Sequence, residues 1–261
     1  MELILSRKDL CILMNVLGAK TLIGIANPFT QHTNEEMELE WEMTFKKLNS
    51  MGLVDLIDEE LKFDEPFIQS MWVLARTNVV VETLTDDEQS LFYFSDHSVI
   101  QCLQVNDDDY KVYIHHTPDW TWNHVIIPKM LMGIENIPVR FTRSLLVDPQ
   151  DYNIYCENLR VHNQEELAEL NNLDHDHLML KQFNRSLQRK IYNSRLMMFY
   201  RNNNQWNVEG IHVLSSPSFN WTLKMINRNG QELLEAKQSG GANLMNEILD
   251  VIKRAKVEQT A

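Results

Sequence analysis

Residues 46–66, KKLNSMGLVDLIDEELKFDEP, carry a helix end, a small two-stranded turn and the start of another helix in one short run. On the left, Met37, Trp41, Thr44 or Phe45, Leu48 and Met51 recur at spacings of three and four, which predicts an amphipathic helix that Gly52 stops. LVDLI and LKF read as short strands around a polar turn at Asp58, Glu59 and Glu60. Asp64 is the N-cap of a third helix with Pro66 in its first turn, where a missing N–H costs nothing, and with Phe67, Met71, Leu74 and Ala75 on one face. Upstream, Ser6 and Asp9 make a capping-box pattern, LCILMNVL is a short buried helix, and Gly18 ends it. AKTLIGIANPF, broken by Gly24 and Pro28, reads as a loop or short strand before Asn34, the expected cap of the second helix. Helix, helix, hairpin and helix form a winged-helix-like unit over residues 1–78.

Charge argues against reading that unit as a DNA reader. Residues 1–78 hold 7 basic and 13 acidic side chains, a net of −6. The helix in the recognition position begins EEMELEWE, with Glu35, Glu36, Glu38, Glu40 and Glu42 where phosphate-binding Lys and Arg would stand. The whole 261-residue chain has 24 Lys and Arg against 37 Asp and Glu, a net of −13, so its field repels nucleic acid and anionic membrane and favours basic or neutral partners. Cys11, Cys102 and Cys156 are far apart and set among apolar neighbours, which reads as reduced thiols. MELILSRKDL lacks a signal-peptide pattern, and no apolar run is long enough to span a bilayer, so a cytoplasmic location without stable membrane insertion is expected.

From residue 79 the apolar period changes to two. VVVETL, SLFYFS, SVIQCLQV and YKVYIHH, separated by TDDEQ, DH and NDDD, predict a four-stranded antiparallel meander. WTWNHVIIPKMLM follows as a helix interrupted or entered at Pro128, whereas ENIPVRFTRSLLVDP shows no clear period. Asp148 with Pro149 caps a helix through Leu159. Asn163 with Glu166 opens another through Leu173, and Asp174 starts a third with Leu180, Phe183, Leu187 and Ile191 inward, giving a helical hairpin. SRLMMFYR, QWNVEGIHVL, FNWTLKMI and QELLEAK are strands, with an Asn229-Gly230 hairpin between the last two. After Gly240 and Gly241, ANLMNEILDVIKRAK forms a helix with Leu244, Ile248, Val251 and Ile252 on its apolar side. Four strands and a helix thus occur twice, at 79–132 and 194–257. The expected class is α+β, with a duplicated antiparallel four-stranded αβ body. The segments expected are 1–78, 79–147 and 148–261, with 78–261 one continuous body.

No GxSxG, HExxH, Walker A or GxGxxG motif occurs. His115 and His116 point to opposite faces of a strand, so with His124 they make a poor metal site. In DHDH at 174–177 only Asp174 and His177 share a helix face. No cofactor or metal is expected, and no catalytic role. One asymmetry stands out: from His177 to Val208 there is no acidic residue, but Lys181, Arg185, Arg189, Lys190, Arg195 and Arg201 are present. Lys181, Arg185 and Arg189 form a helical stripe, either a solvated face paired with Glu165, Glu166 and Glu169 or a docking face for an acidic partner or nucleic acid. Trp120, Trp122, Trp206, Trp221, Met197, Met198 and Phe199 are interface-type residues that would be core unless clustered in the open.

With Leu10 to Gly18, Leu48 followed by Gly52 and Leu53, the acidic hairpin Val54 to Asp64, and the helix ending Leu74-Ala75, the chain resembles the EspG family of type VII (ESX) secretion-associated chaperones. The Met- and Asn-rich composition, with Arg76 and Thr77 where family members often have a proline, suggests a Gram-positive, EsaE-type relative. The resemblance implies a non-enzymatic cytosolic chaperone that holds a helical secretion client of the WXG, LXG or PE/PPE kind. It would mask the client's apolar tip and hand it to the secretion ATPase. The alternative is a winged-helix regulator with a sensing domain. The partner-binding candidates are Lys181, Arg185 and Arg189, together with Trp120 and Trp122.

Overall fold

The structure is a computed structural model that describes residues 3–19, 21–85, 88–131, 134, 137–161, 177–203 and 205–259. It is an α+β protein whose strands pair antiparallel with helices against them. The chain divides into two compact units, the first comprising Met1–Glu82, Glu88–Ile126 and Phe199–Asn207, the second Thr83–Asp87, Ile127–Met198 and Val208–Ala261. No helix among the described residues is long and apolar enough to cross a membrane.

The first unit opens with β1 (Leu3–Ser6), α1 (Arg7–Val16) and α2 (Asn34–Ser50). The hairpin β2 (Val54–Ile57) and β3 (Glu60–Phe63) leads to α3 (Glu65–Arg76), and the meander β4 (Val79–Thr85), β5 (Gln89–Phe94), β6 (Val99–Gln104) and β7 (Asp109–His115) follows. The strands lie in the order β1-β7-β6-β5-β4. Local chemistry sets the helix starts. Ser6 Oγ accepts from Asp9 N–H at 3.1 Å while Asp9 Oδ2 accepts from Ser6 N–H at 2.8 Å, the reciprocal box expected of this pair. Asp64 Oδ1 likewise accepts from Phe67 N–H at 3.0 Å. At α2 the cap is Thr33 rather than Asn34, because Thr33 has Glu36 three residues on to complete a box, with 3.3 and 2.8 Å bonds. The hairpin turns through Asp58 and Glu59, both left-handed with φ of 54° and 66°, and Glu60 is already strand.

Successive residues of these strands point to opposite faces, and both faces are covered. Leu91 and Tyr93, Ile100 and Cys102, and Tyr110 and Val112 face Leu10, Leu13, Leu48, Phe67, Met71 and Leu74 from the three helices. Phe92, Phe94 and Gln101 point the other way and are buried too, so the strands read as nearly continuous apolar runs. Only Thr44 and Leu48 of α2 are buried. Met37, Trp41 and Phe45 are half-buried and Met51 is exposed, because only the last turns of α2 reach the core. β1 is too short to carry a period and exists through its pairing with β7, Leu3 opposite Val112.

On the far side of this sheet lie α4 (Pro118–Thr121) and a π-helical turn, Trp122–Ile126. The π turn comes just ahead of Pro128, which offers no N–H to an α-helical ladder.

The second unit begins with α5 (Ile127–Leu131) and contains β8 (Ser144–Val147), α6 (Pro149–Val161) and α7 (His177–Gln188). The second meander is β9 (Tyr192–Asn202), β10 (Gln205–Ser215), β11 (Asn220–Arg228) and β12 (Gln231–Gln238), closed by α8 (Gly241–Gln259). The strand order is β9-β10-β11-β12-β8. Asn229 and Gly230 turn β11 into β12 with φ of 56° and 83°, as the Asn-Gly pair predicts. Leu180, Phe183 and Leu187 of α7 and Tyr152 and Tyr155 of α6 cover Leu145, Val147, Trp221, Leu223, Leu234 and Ala236. Leu244, Ile248 and Val251 of α8 are buried as expected, whereas Ile252 lies outside the residues whose side chains are described. Ile191, expected inward, is exposed because α7 ends at Gln188. The arm expected between Asn163 and Leu173, and the start at Asp174, lie outside the described residues.

β8 answers to partners distant in sequence. Leu145 pairs with Ala236, and the segment before it is pinned by Gln238, whose Oε1 accepts from Arg140 N–H at 2.7 Å and Phe141 N–H at 2.8 Å. A segment held in this way has no reason to show a period of its own.

Candidate protein-docking surface

Of the residues predicted to meet a partner, the structure separates Trp120 from Trp122. Thr117 caps α4 by accepting from Trp120 N–H at 3.3 Å, and on a helix two residues apart point to opposite sides. Trp122 is 1% exposed and stacks on Phe94 with ring centroids 5.2 Å apart, so it is a core residue. Trp120 is 39% exposed. Its indole lies nearly parallel to His115 at 5.9 Å and His124 at 5.0 Å, with His116 edge-on at 5.8 Å. His124 Nδ1 meets the Trp120 carbonyl at 3.0 Å. His115 Nε2 meets Gln101 Oε1 at 2.8 Å, Gln101 Nε2 donates to Ser90 Oγ at 3.0 Å, and Ser90 Oγ donates to Glu88 Oε1 at 2.7 Å. This row of polar side chains crosses three strands and fixes the His115 ring that lies over the indole. Partial burial, helped by the neighbouring His116, keeps the His115 pKa below that of an ordinary imidazole.

The predicted stripe on α7 faces outward. Lys181, Arg185 and Arg189 are exposed, opposite the buried Leu180, Phe183 and Leu187, and Leu178 is exposed on the same side. None of the three cations has an ion-pair partner among the described residues. Glu165, Glu166 and Glu169, the partners envisaged for them, lie outside those residues. Among the other interface-type residues, Met198 and Trp221 are buried. Trp221 Nε1 donates to Ser186 Oγ at 3.0 Å, while Trp206 is partly exposed and Phe199 packs against the core of the first unit.

Two further residues of this kind lie on α2. Leu39 and Met43, one turn apart on α2, are 62% and 66% exposed. They lie off the helix face that the three-and-four spacing picks out, and that displacement among glutamates is the signal that marks them. On the hairpin, Leu56 pairs with Leu61 and both are exposed. An apolar cavity of about 90 Å³ adjoins the base of that hairpin, lined by Leu3, Leu53, Pro66, Phe67, Met71 and Ile114. A larger cavity of about 380 Å³, with a mixed lining that includes Met14, Ile25 and Met37 beside Asn15, Thr21 and Asn27, lies under the loop between α1 and α2.

Burial pushes the Cys11 thiol up to about 11 and the Cys102 thiol up to about 12, so neither is a thiolate at neutral pH. Among the described residues no three His, Cys, Asp or Glu side chains are grouped to hold a metal ion.

No protein-family model and no curated protein matches the chain. Among solved structures it is similar to the Mycobacterium tuberculosis type VII secretion system chaperone EspG5, determined in complex with a PE25–PPE41 dimer. The TM-score is 0.56 at 9% sequence identity, over 94% of this chain and 94% of that one. At that identity the likeness is one of fold, and the fold of this chain is EspG-like.

Proposed function

We propose that this protein is a cytosolic, non-enzymatic chaperone of a type VII secretion system, which holds a helical client soluble and presents it to the secretion ATPase. The observation that carries the reading is the end-to-end likeness to EspG5: 94% of each chain superposes, so the neighbour shares the whole architecture rather than one common motif. The net charge of −13 suits a soluble carrier, and the exposed Trp120 and the Lys181, Arg185 and Arg189 face are candidate client contacts. The client is a helical protein of the WXG, LXG or PE/PPE kind, and the Met- and Asn-rich composition favours a Gram-positive system.

The test is co-expression with small helical proteins of the WXG, LXG or PE/PPE kind from the same genome, followed by size exclusion. A stable 1:1 complex is expected, weakened by Trp120→Ala or by Lys181→Glu with Arg185→Glu. If nothing co-elutes and the protein instead shifts a DNA fragment with steep salt dependence, the chaperone reading fails in favour of a regulator.

A further inference from the structure

The outward face of α2 is an apolar seam edged with carboxylates, and nothing in the chaperone reading uses it. Leu39 and Met43 sit one turn apart and are about two-thirds exposed. Helical geometry places Glu35 and Glu42 along one side of that pair and Glu36 and Glu40 along the other.

The basic residues nearby are mostly engaged elsewhere. Lys47 reaches inward to Asp9 at 2.5 Å, and Lys8 of α1 pairs with Glu40. Lys46 alone lies along the seam, in an exposed pair with Glu42 at 3.6 Å. Glu35 and Glu38 have no ion-pair partner among the described residues. A helix that fixes two large apolar side chains in water, within a ring of under-neutralised carboxylates, is complementary to an amphipathic helix of opposite charge.

We infer that α2 is a docking face for a basic amphipathic helix of a partner protein, whose apolar stripe covers Leu39 and Met43 and whose flanking Lys or Arg meet Glu35 and Glu42. The net charge of −13 steers such a helix toward the protein, and the two apolar side chains fix where it settles. The inference stands on α2 alone and is independent of which client the protein carries.

The probe is a labelled synthetic peptide of about five helical turns with leucines on one face and flanking lysines, followed by fluorescence anisotropy. A scrambled peptide of the same composition is the control. The full-length protein is expected to bind the amphipathic peptide saturably and the scrambled one much more weakly. Leu39→Ala with Met43→Ala, which leaves every charge in place, is expected to weaken binding about tenfold. Glu35→Gln with Glu42→Gln should weaken it further as well as flatten its salt dependence. All four side chains are exposed, so circular dichroism and melting temperature should match the parent protein. Equal binding of both peptides, or an unchanged affinity in the Leu39→Ala, Met43→Ala variant, reduces the effect to bulk charge and overturns the proposal. So does a concentration-dependent dimer that the same variant abolishes, since the face would then be covered by the basic α7 of a second copy. None of these results bears on whether the secretion client co-elutes.

Discussion

Asp9 is the polar hinge between α1 and α2, and replacing it measures how firmly the acidic helix is set. Its Oδ2 accepts from Ser6 N–H at 2.8 Å and from Lys47 Nζ at 2.5 Å, and its Oδ1 accepts from Thr44 Oγ1 at 3.1 Å. The side chain is 7% exposed and that of Lys47 35%. Asp9→Ala removes half of the capping box, a loss of about 1 kcal/mol. It leaves the buried Thr44 hydroxyl without its acceptor, about another 1 kcal/mol. The Lys47 contact adds only about 0.5–1 kcal/mol, because Lys47 can turn to water. The expected loss is therefore about 2.5–3 kcal/mol, read as a drop in urea midpoint followed by circular dichroism.

The pH dependence supplies a second, independent check on Asp9. Burial alone would raise its pKa, but Lys47 and the backbone and hydroxyl of Ser6 together hold it below the ordinary carboxylate value. A depressed folded-state pKa means the stabilisation is present above the unfolded value and disappears as pH falls through the folded one. The stability gap between the parent protein and Asp9→Asn should thus be full at neutral pH and close below about pH 4. A loss under about 1 kcal/mol for Asp9→Ala, or a gap that persists in acid, would refute the idea that this carboxylate ties α1 to α2.

Two further outcomes follow from the structure. His115 is held neutral to lower pH than an ordinary imidazole, so stability and Trp120 emission should be constant above about pH 6.5 and fall on acidification, as charge appears beside the indole. The emission difference between the parent protein and Trp120→Phe should carry that change, and a difference that stays flat on acidification until the protein unfolds would count against the stacked arrangement. In the β2–β3 turn, Asp58 and Glu59 both occupy the left-handed region, so Asp58→Asn with Glu59→Gly should stabilise by about 0.5–1 kcal/mol in urea unfolding. A loss of stability there would mean that the turn has another geometry.

What could be read from the sequence was mostly what neighbouring residues settle among themselves. The Ser6–Asp9 box, the Asp64 cap and the Asn229-Gly230 turn are contacts within a few residues, and each appears where its pattern lies. The first meander showed itself as short apolar runs between polar turn signals, and the second opened with a clean alternation in β9. The cap of α2 slipped by one residue because Thr33 and Asn34 are both capping types, and only the reach of Glu36 separates them. β1 and β8, by contrast, have four residues each and borrow their hydrogen bonds from β7 and β12. No window on the sequence contains their cause.

The candidate surfaces divide along the same line. Composition and charge order, visible in the string of residues, excluded phosphate as the natural partner of α2 and marked the basic run after His177. Which apolar side chains would be left in water was not visible, since exposure depends on what packs from the other side. Trp120 and Trp122 look alike in the sequence, yet a helical turn sends one outward beside three histidines and the other into the core against Phe94. Leu39 and Met43 stay in solvent because they lie on the side of α2 away from the face that packs through Thr44 and Leu48. Local contacts and net charge were thus fixed by the chain itself, and the choice of which apolar residues face outward was made only when distant segments came together.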